Sequence, residues 1–306
     1  MYTIEEIKNE NSCLNQVLIK NDKLKFQSSI YPNLGASIQQ LMSNGIDIID
    51  GISNNLEGLE VYKNKFNSSF LFPFPNRISN GEYSFKNKEY QLPCNEASLN
   101  NSLHGDVFNK SFSITNQVAS ENHAQITFSY SNNGTMVGFP FPYQLNITYT
   151  FTPNNLKLDF KVTNTGDNEF PFGLGWHPYF KTSNLKSSIL NFKGEKQYYL
   201  DEKNIPQQEI PLKFETPLLM EDTFLDDCFI INKPETTFKT EAYEIGIDFS
   251  SETEKNFLQV YTPPTRNCIA IEPMTCAPNS FNNKHGLLTL IPNKEYHWKV
   301  NLSYSN

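Results

Sequence analysis

The clearest regularity in this chain is an apolar residue at every second position. From Tyr143 to Thr152, Leu145, Ile147, Tyr149 and Phe151 alternate with polar residues. After Pro153-Asn154-Asn155 the alternation resumes at Leu156, Leu158, Phe160 and Val162. A strand turns successive side chains to opposite faces, so this pattern predicts two antiparallel strands joined by a short turn, one face buried and one wet. Similar runs occur at 124–131 (AQITFSYS), 257–262 (FLQVYT), 267–272 (NCIAIE) and 297–305 (HWKVNLSYS). Eighteen prolines and frequent Asn-Asn or Asn-Gly pairs punctuate them. No convincing amphipathic helix is predicted; the best window, Ser37 to Met42, is six residues bounded by glycines and reads equally well as a strand. Many short strands with frequent turns predict an all-β sandwich or barrel. With no 20–50-residue repeat and no low-complexity linker, a single domain over residues 1–306 is expected.

Composition agrees with this class and removes others. A hydrophobic fraction of 38% with 19% charged residues is enough for a large core and too little charge for a disordered chain. The 24 Phe and 15 Tyr favour half-buried pleated surfaces and ring-lined clefts. A net charge of −8 without a basic run argues against nucleic acid as a partner. The N-terminal MYTIEEIKNE has no signal-like pattern, and no window approaches the roughly 18 apolar residues of a membrane span. Five cysteines (Cys13, Cys94, Cys228, Cys268 and Cys276), an odd number without CxxC, fit reduced thiols in a cytoplasmic protein. Sequons such as Asn146-Ile147-Thr148 are read as a consequence of the high asparagine content.

Five segments set a polar residue into turn-rich, apolar surroundings. In FLFPFPNRISNG (70–81), Asn76-Arg77 follows three aromatics and two prolines. A guanidinium suits an oxygen-rich ligand, or it pairs structurally with a loop carboxylate. In NSLHGD (101–106), His104 precedes Gly105, which permits a tight turn and close approach to a ligand; a loop histidine without function is the alternative. In GLGWHPYF (173–180), His177 sits between Trp176 and Pro178. Its neighbours desolvate the imidazole, leaving either a satisfied core histidine or a proton shuttle. In TFLDDCF (223–229), Asp226 and Asp227 face opposite sides of any strand, so at most one enters a cleft. In CIAIEPM (268–274), Glu272 is expected at a strand end, where Pro273 stops the ladder. It reads as a general base or as an edge charge that blocks aggregation.

The order of these segments resembles that of the aldose 1-epimerases, the galactose mutarotase-like family. The matching residues are Asn76-Arg77, His104-Gly105, His177-Pro178-Tyr179-Phe180, Asp226, and Glu272 with Pro278-Asn279. GASIQQL (35–41), FPFPYQLNITYTF (139–151), LQVYTPP (258–264) and LIPNKEYHW (290–298) extend the resemblance from about Gly35 to the C-terminus. It implies a large antiparallel β-sandwich, the galactose mutarotase-like supersandwich, with a sugar in an open cleft. The implied activity is cofactor-free and metal-free interconversion of the α and β anomers of a free aldose such as glucose or galactose. Glu272 would be the general base on the C1 hydroxyl and His177 the general acid on the ring oxygen, on opposite sides of the breaking bond. Free side-chain pKa values, about 4.3 and 6.5, would leave Glu272 ionised and His177 easily protonated. Arg77, His104, Asp226 and Asn76 would bind substrate, and Trp176 either stacks on the sugar or fills the core.

Two departures fall near the expected cleft. Pro263-Pro264 stands in a short loop where several members carry a glutamine in a longer one, and His104-Gly105-Asp106 replaces His-Gly-Gly. Three alternatives remain open. A hexose-6-phosphate 1-epimerase would need more cations than Arg266 supplies nearby. A non-catalytic carbohydrate-binding β-sandwich would need neither Glu272 nor His177. A metal-dependent sandwich would use His104, His177 and Glu272 without HxH or HxxxH spacing. The expected partner is a small aldose, and the protein itself a monomer or homodimer.

Overall fold

Strands Pro142–Thr152 and Asn155–Asn164 form the predicted hairpin, with Thr152 opposite Asn155 and Leu145, Ile147, Tyr149 and Phe151 opposite Val162, Phe160, Leu158 and Leu156. Burial in the first strand alternates strictly, the apolar members inward. The computed structural model describes residues 1–253 and 255–306. The other alternating runs become strands Ala124–Asn133, Asn256–Tyr261, Cys268–Met274 and Glu295–Ser305.

The protein is an all-β, large antiparallel β-sandwich. One sheet is a meander of five strands in chain order, from Thr3–Ile7 to Ile46–Asp47. The largest has fifteen strands among the described residues, and one end of its path runs Glu244–Ser250, Asp226–Lys239, Asn256–Tyr261, Cys268–Met274, Gly175–His177 and Ser69–Leu71. The sheets meet through aromatic rings. Phe26 of the meander lies edge-on to Phe151 at 5.7 Å, and the Tyr149 hydroxyl donates to the Ala36 carbonyl at 2.6 Å. The main apolar core extends from Tyr2 to Tyr304. None of the described helices is long and apolar enough to cross a membrane.

Two expectations about elements need correction. A ten-residue helix, Leu56–Lys65, is present, capped by Asn55, whose side chain accepts from Gly58 N–H. It escaped the pattern because Leu56 and Val61 face water and only Gly58 and Tyr62 are buried, so it has no apolar stripe. The Ser37–Ser43 segment, the best helical window in the sequence, is a strand. Pro273 does not end the ladder at Glu272: the strand continues to Met274, which pairs with Gly175. Glu272 is therefore interior to a central strand and no edge charge.

Candidate active site

Register assembles the site. Asp226 lies opposite Tyr261 and Cys228 opposite Gln259; Gln259 in turn faces Glu272, and Tyr261 faces Ala270. Ala270 also pairs with Tyr179. Paired residues point to the same side, as do residues two apart, so Asp226, Gln259, Tyr261, Glu272 and Tyr179 share one face of the sheet. Asp227 points the other way, to Gln197 at 2.8 Å, as alternation requires.

The same alternation separates Trp176 from His177. His177 Nε2 lies 3.4 Å from Glu272 Oε1, with both side chains almost fully buried. Its ring stacks on Tyr179 at 5.0 Å. Trp176, one residue earlier, is fully buried in the main core, and its indole N–H has no partner among the described residues. That rules out sugar stacking: Trp176 turns its ring to the core face while His177 turns to the cleft face.

Two loops bring in the remaining candidates. Strand Arg77–Ser79 pairs with Asn101–Leu103, which places Asn76 beside His104. Both are left-handed, with φ 55° and 63°. They bond reciprocally: His104 N–H donates to the Asn76 carbonyl at 2.8 Å, and Asn76 N–H donates to His104 Nδ1 at 3.2 Å. Nδ1 must then be an acceptor, which puts the ring proton on Nε2 and leaves that N–H for a ligand. Gly105 follows at φ 69°, so close to Phe72 that a Cβ would sit 2.2 Å from its carbonyl oxygen. Phe66, at the C-terminus of the unpredicted helix, packs edge-on against the His104 ring at 4.8 Å.

Arg77 makes the structural pairing with a loop carboxylate that its sequence allowed. Its Nε and Nη2 donate to Glu96 at 2.9 and 2.8 Å, while Nη1 reaches Asn76 Oδ1 at 3.4 Å. Burial acts to raise Glu96, but the hydrogen bonds from Arg77 and Asn101 hold its carboxyl below the usual range. Pro278-Asn279 supports the same strand: Asn279 N–H donates to the Arg77 carbonyl at 2.7 Å, and Asn279 Oδ1 accepts from Ser79 N–H at 3.1 Å.

Two contacting residues were not identified as candidates from the sequence. Gln259 is buried and donates from Nε2 to Asp226 Oδ1 at 2.9 Å, while its Oε1 accepts from Asn76 Nδ2 at 3.3 Å. A polar side chain in the middle of FLQVY was the available signal. Glu96 had none.

The electrostatics reverse the expectation from free side chains. Burial pushes the His177 imidazole down to about 3. Burial, with Asp226 adding to it and Arg77 opposing, pushes Glu272 well above the usual carboxylate range. His104 is lowered well below its normal value by burial, His177 and Arg77. Asp226 is raised, chiefly by desolvation. It is nonetheless exposed at the surface. For His177 and Glu272, burial thus disfavours the charged form of both members of the pair. The two are adjacent.

Such an arrangement can give and take protons at two neighbouring atoms, with the polar groups of His104, Arg77, Asn76 and Asp226 nearby. Among the described residues no group of three or more His, Cys, Asp or Glu is placed to hold a metal ion. A surface cavity of about 670 Å³ lined by Tyr83, Tyr90, Asn279 and Asn282 contains none of the six candidates.

A model of the family described as aldose 1-epimerase matches residues 16–303. The chain is 29% identical over 245 residues to YihR of Escherichia coli, covering 76% of this chain and 77% of that protein. It is 24% identical over 249 residues to the bifunctional protein gal10 of Schizosaccharomyces pombe, covering 76% of this chain and 33% of that one. A galactose mutarotase-like protein from Clostridium acetobutylicum has the same fold, with a TM-score of 0.87 at 21% identity over 100% of this chain and 98% of that one. Galactose 1-epimerase from Lactobacillus acidophilus gives 0.78 at 15% identity, over 100% and 98%.

Proposed function

The chain belongs to the aldose 1-epimerase family, and from that premise we propose that it is a mutarotase acting, as a single domain, on a free, uncharged aldose such as glucose or galactose. The observation that carries this reading is the buried pair His177 Nε2 and Glu272 Oε1 at 3.4 Å. O1 and the ring oxygen O5 are bonded to the same carbon, so an acid and a base that touch each other can address both.

Glu272 takes the proton from the C1 hydroxyl and His177 gives one to O5. The C1–O5 bond breaks and C1–O1 becomes a carbonyl. Rotation about C1–C2 presents the other face, and reversal of both transfers closes the other anomer. The pair holds one proton before and after each half-reaction. The reacting form is the carboxylate–imidazolium pair, reached from the neutral pair that burial favours by passing its one proton from Glu272 to His177, and ring opening returns the neutral pair. Each group contributes about 10²–10⁴ in rate by assistance of this kind. His104 donates through Nε2, and Asp226, Arg77 and Asn76 bind and orient the hydroxyls.

The charge pattern favours an uncharged sugar over a sugar phosphate. Arg266 donates from Nη1 and Nη2 to the carbonyls of Thr223 and Glu221 and lies 4.6 Å from the Phe224 ring centre, so both of its terminal nitrogens are engaged. Two of the Arg77 nitrogens are held by Glu96. A dianion would also meet the carboxyls of Asp226 and Glu272. The test is polarimetry on freshly dissolved α-glucose and α-galactose against glucose 6-phosphate. Faster equilibration of a free sugar is expected; preference for the phosphate, or no acceleration of any sugar, would overturn the reading.

A further inference from the structure

Gln259 deserves a role because burying an amide is costly unless both of its ends are satisfied, and here each end has one defined partner. Asp226, as a carboxylate, only accepts, so Gln259 must turn its N–H toward it. Gln259 Oε1 then faces Asn76 and must receive a donor, which fixes the Asn76 amide with Nδ2 toward Gln259 and Oδ1 toward Arg77. The guanidinium at the far end only donates. Every hydrogen bond therefore runs in one direction: Arg77 Nη1 to Asn76 Oδ1 at 3.4 Å, Asn76 Nδ2 to Gln259 Oε1 at 3.3 Å, and Gln259 Nε2 to Asp226 Oδ1 at 2.9 Å. Both orientations are imposed by the charged groups at the ends, one a cation and the other an anion.

We propose that Gln259 is a positioning residue that completes a one-way hydrogen-bond relay from Arg77 to Asp226, holding Asp226 and Asn76 in the orientation that receives the sugar. The inference rests on the proposed function and adds to it a residue that need not touch substrate. Chains of aligned donors strengthen one another where water is scarce. The relay ties together two candidates that come from distant parts of the chain, the 70–81 loop and the start of the Asp226–Lys239 strand. Gln259 pairs in register with Cys228 and Glu272. The ionisable groups around it are thus Asp226, Glu272 and Cys228, with Tyr261 two residues along and Arg77 and His104 beyond Asn76.

Two substitutions separate direction from mere occupancy. Gln259→Met keeps the approximate volume and removes both polar ends. Gln259→Glu keeps an acceptor and has a donor only while the introduced carboxyl is protonated. With the wild type as reference, Gln259→Met is expected to raise KM about tenfold at every pH, the scale of a lost hydrogen bond to a charged group, with kcat little changed. Gln259→Glu is expected to have a KM near that of the wild type at pH 5 and one at least as high as that of Gln259→Met at pH 8, where an ionised carboxyl would also repel Asp226. A KM ratio for Gln259→Glu that does not change with pH, or a loss confined to kcat in either variant, would overturn the relay. A readout independent of turnover is the ¹³C-carboxyl NMR titration of Asp226. In Gln259→Met it should titrate about one pH unit higher than in the wild type, since a donor to the ionised form is gone. An unchanged titration in a variant that melts like the wild type also overturns the relay. A wild type that equilibrates no aldose would instead overturn the proposed function, and the NMR comparison would still decide the relay.

Discussion

His177 Nε2 lies 3.4 Å from Glu272 Oε1, and among the described residues the other polar atom of each side chain, His177 Nδ1 and Glu272 Oε2, has no hydrogen-bond partner. The pair is held by packing and by its own contact rather than by a surrounding polar network. Neither group is committed to a third residue, so the proton between them is available to a substrate.

The first consequence is a pH profile that belongs to the pair. The working form carries one proton. Adding a second requires protonating His177, which burial pushes down to about 3. Removing the one requires ionising Glu272, which burial pushes up. Activity lost toward acid pH should therefore fall away well below the ordinary histidine value, and activity lost toward alkaline pH should do so above the ordinary carboxylate value. Measured kcat/KM across pH should show a plateau between those limbs. An acid limb centred near about 6.5, the free histidine value, would contradict the burial argument.

Gly105→Ala tests how His104 is placed. The residue has φ 69°, and a Cβ there would lie 2.2 Å from the Phe72 carbonyl oxygen. The backbone must move, and His104 must move with it. Strain at such a site is on the order of 1–3 kcal/mol before the clash is added. Thermal unfolding should show a lowered Tm, and KM should rise; wild-type values of both would contradict the tight turn.

Trp176→Phe separates core packing from sugar contact. Trp176 is fully buried on the face opposite His177. The smaller ring leaves a void and is expected to destabilise by about 1–3 kcal/mol, partly offset because the unpartnered indole N–H disappears. KM for the aldose should stay near its wild-type value. A large rise in KM without loss of stability would put the ring back in the cleft.

The period-two runs were enough to predict the hairpin at 142–164 and the strands carrying Gln259 and Glu272, because a sheet with one wet face writes its alternation into the chain. The helix at Leu56–Lys65 was not legible, since a helix that buries only Gly58 and Tyr62 leaves no apolar stripe to read. Pro273 misled for a different reason. A proline has no N–H to donate, but the backbone stays extended and in register, Pro273 opposite Leu258 and Met274 opposite Phe257. The candidate residues were recognised by their order in the chain. What order does not contain is contact: Glu96 on Arg77, and Gln259 between Asn76 and Asp226, arise only when loops far apart in sequence meet. The pKa directions were missed for the same reason, because free-solution values carry no information about burial.

The central claim is that Glu272 and His177 exchange protons with the two oxygens on C1. Its most direct test is Glu272→Gln, which keeps the shape and removes the base, followed by polarimetry of freshly dissolved α-aldose under the conditions where the wild type is fastest. A fall in kcat of about 10²–10⁴ with an unchanged far-UV spectrum and Tm is predicted. Turnover within about threefold of the wild type would contradict the account and leave sugar binding without catalysis as the better description.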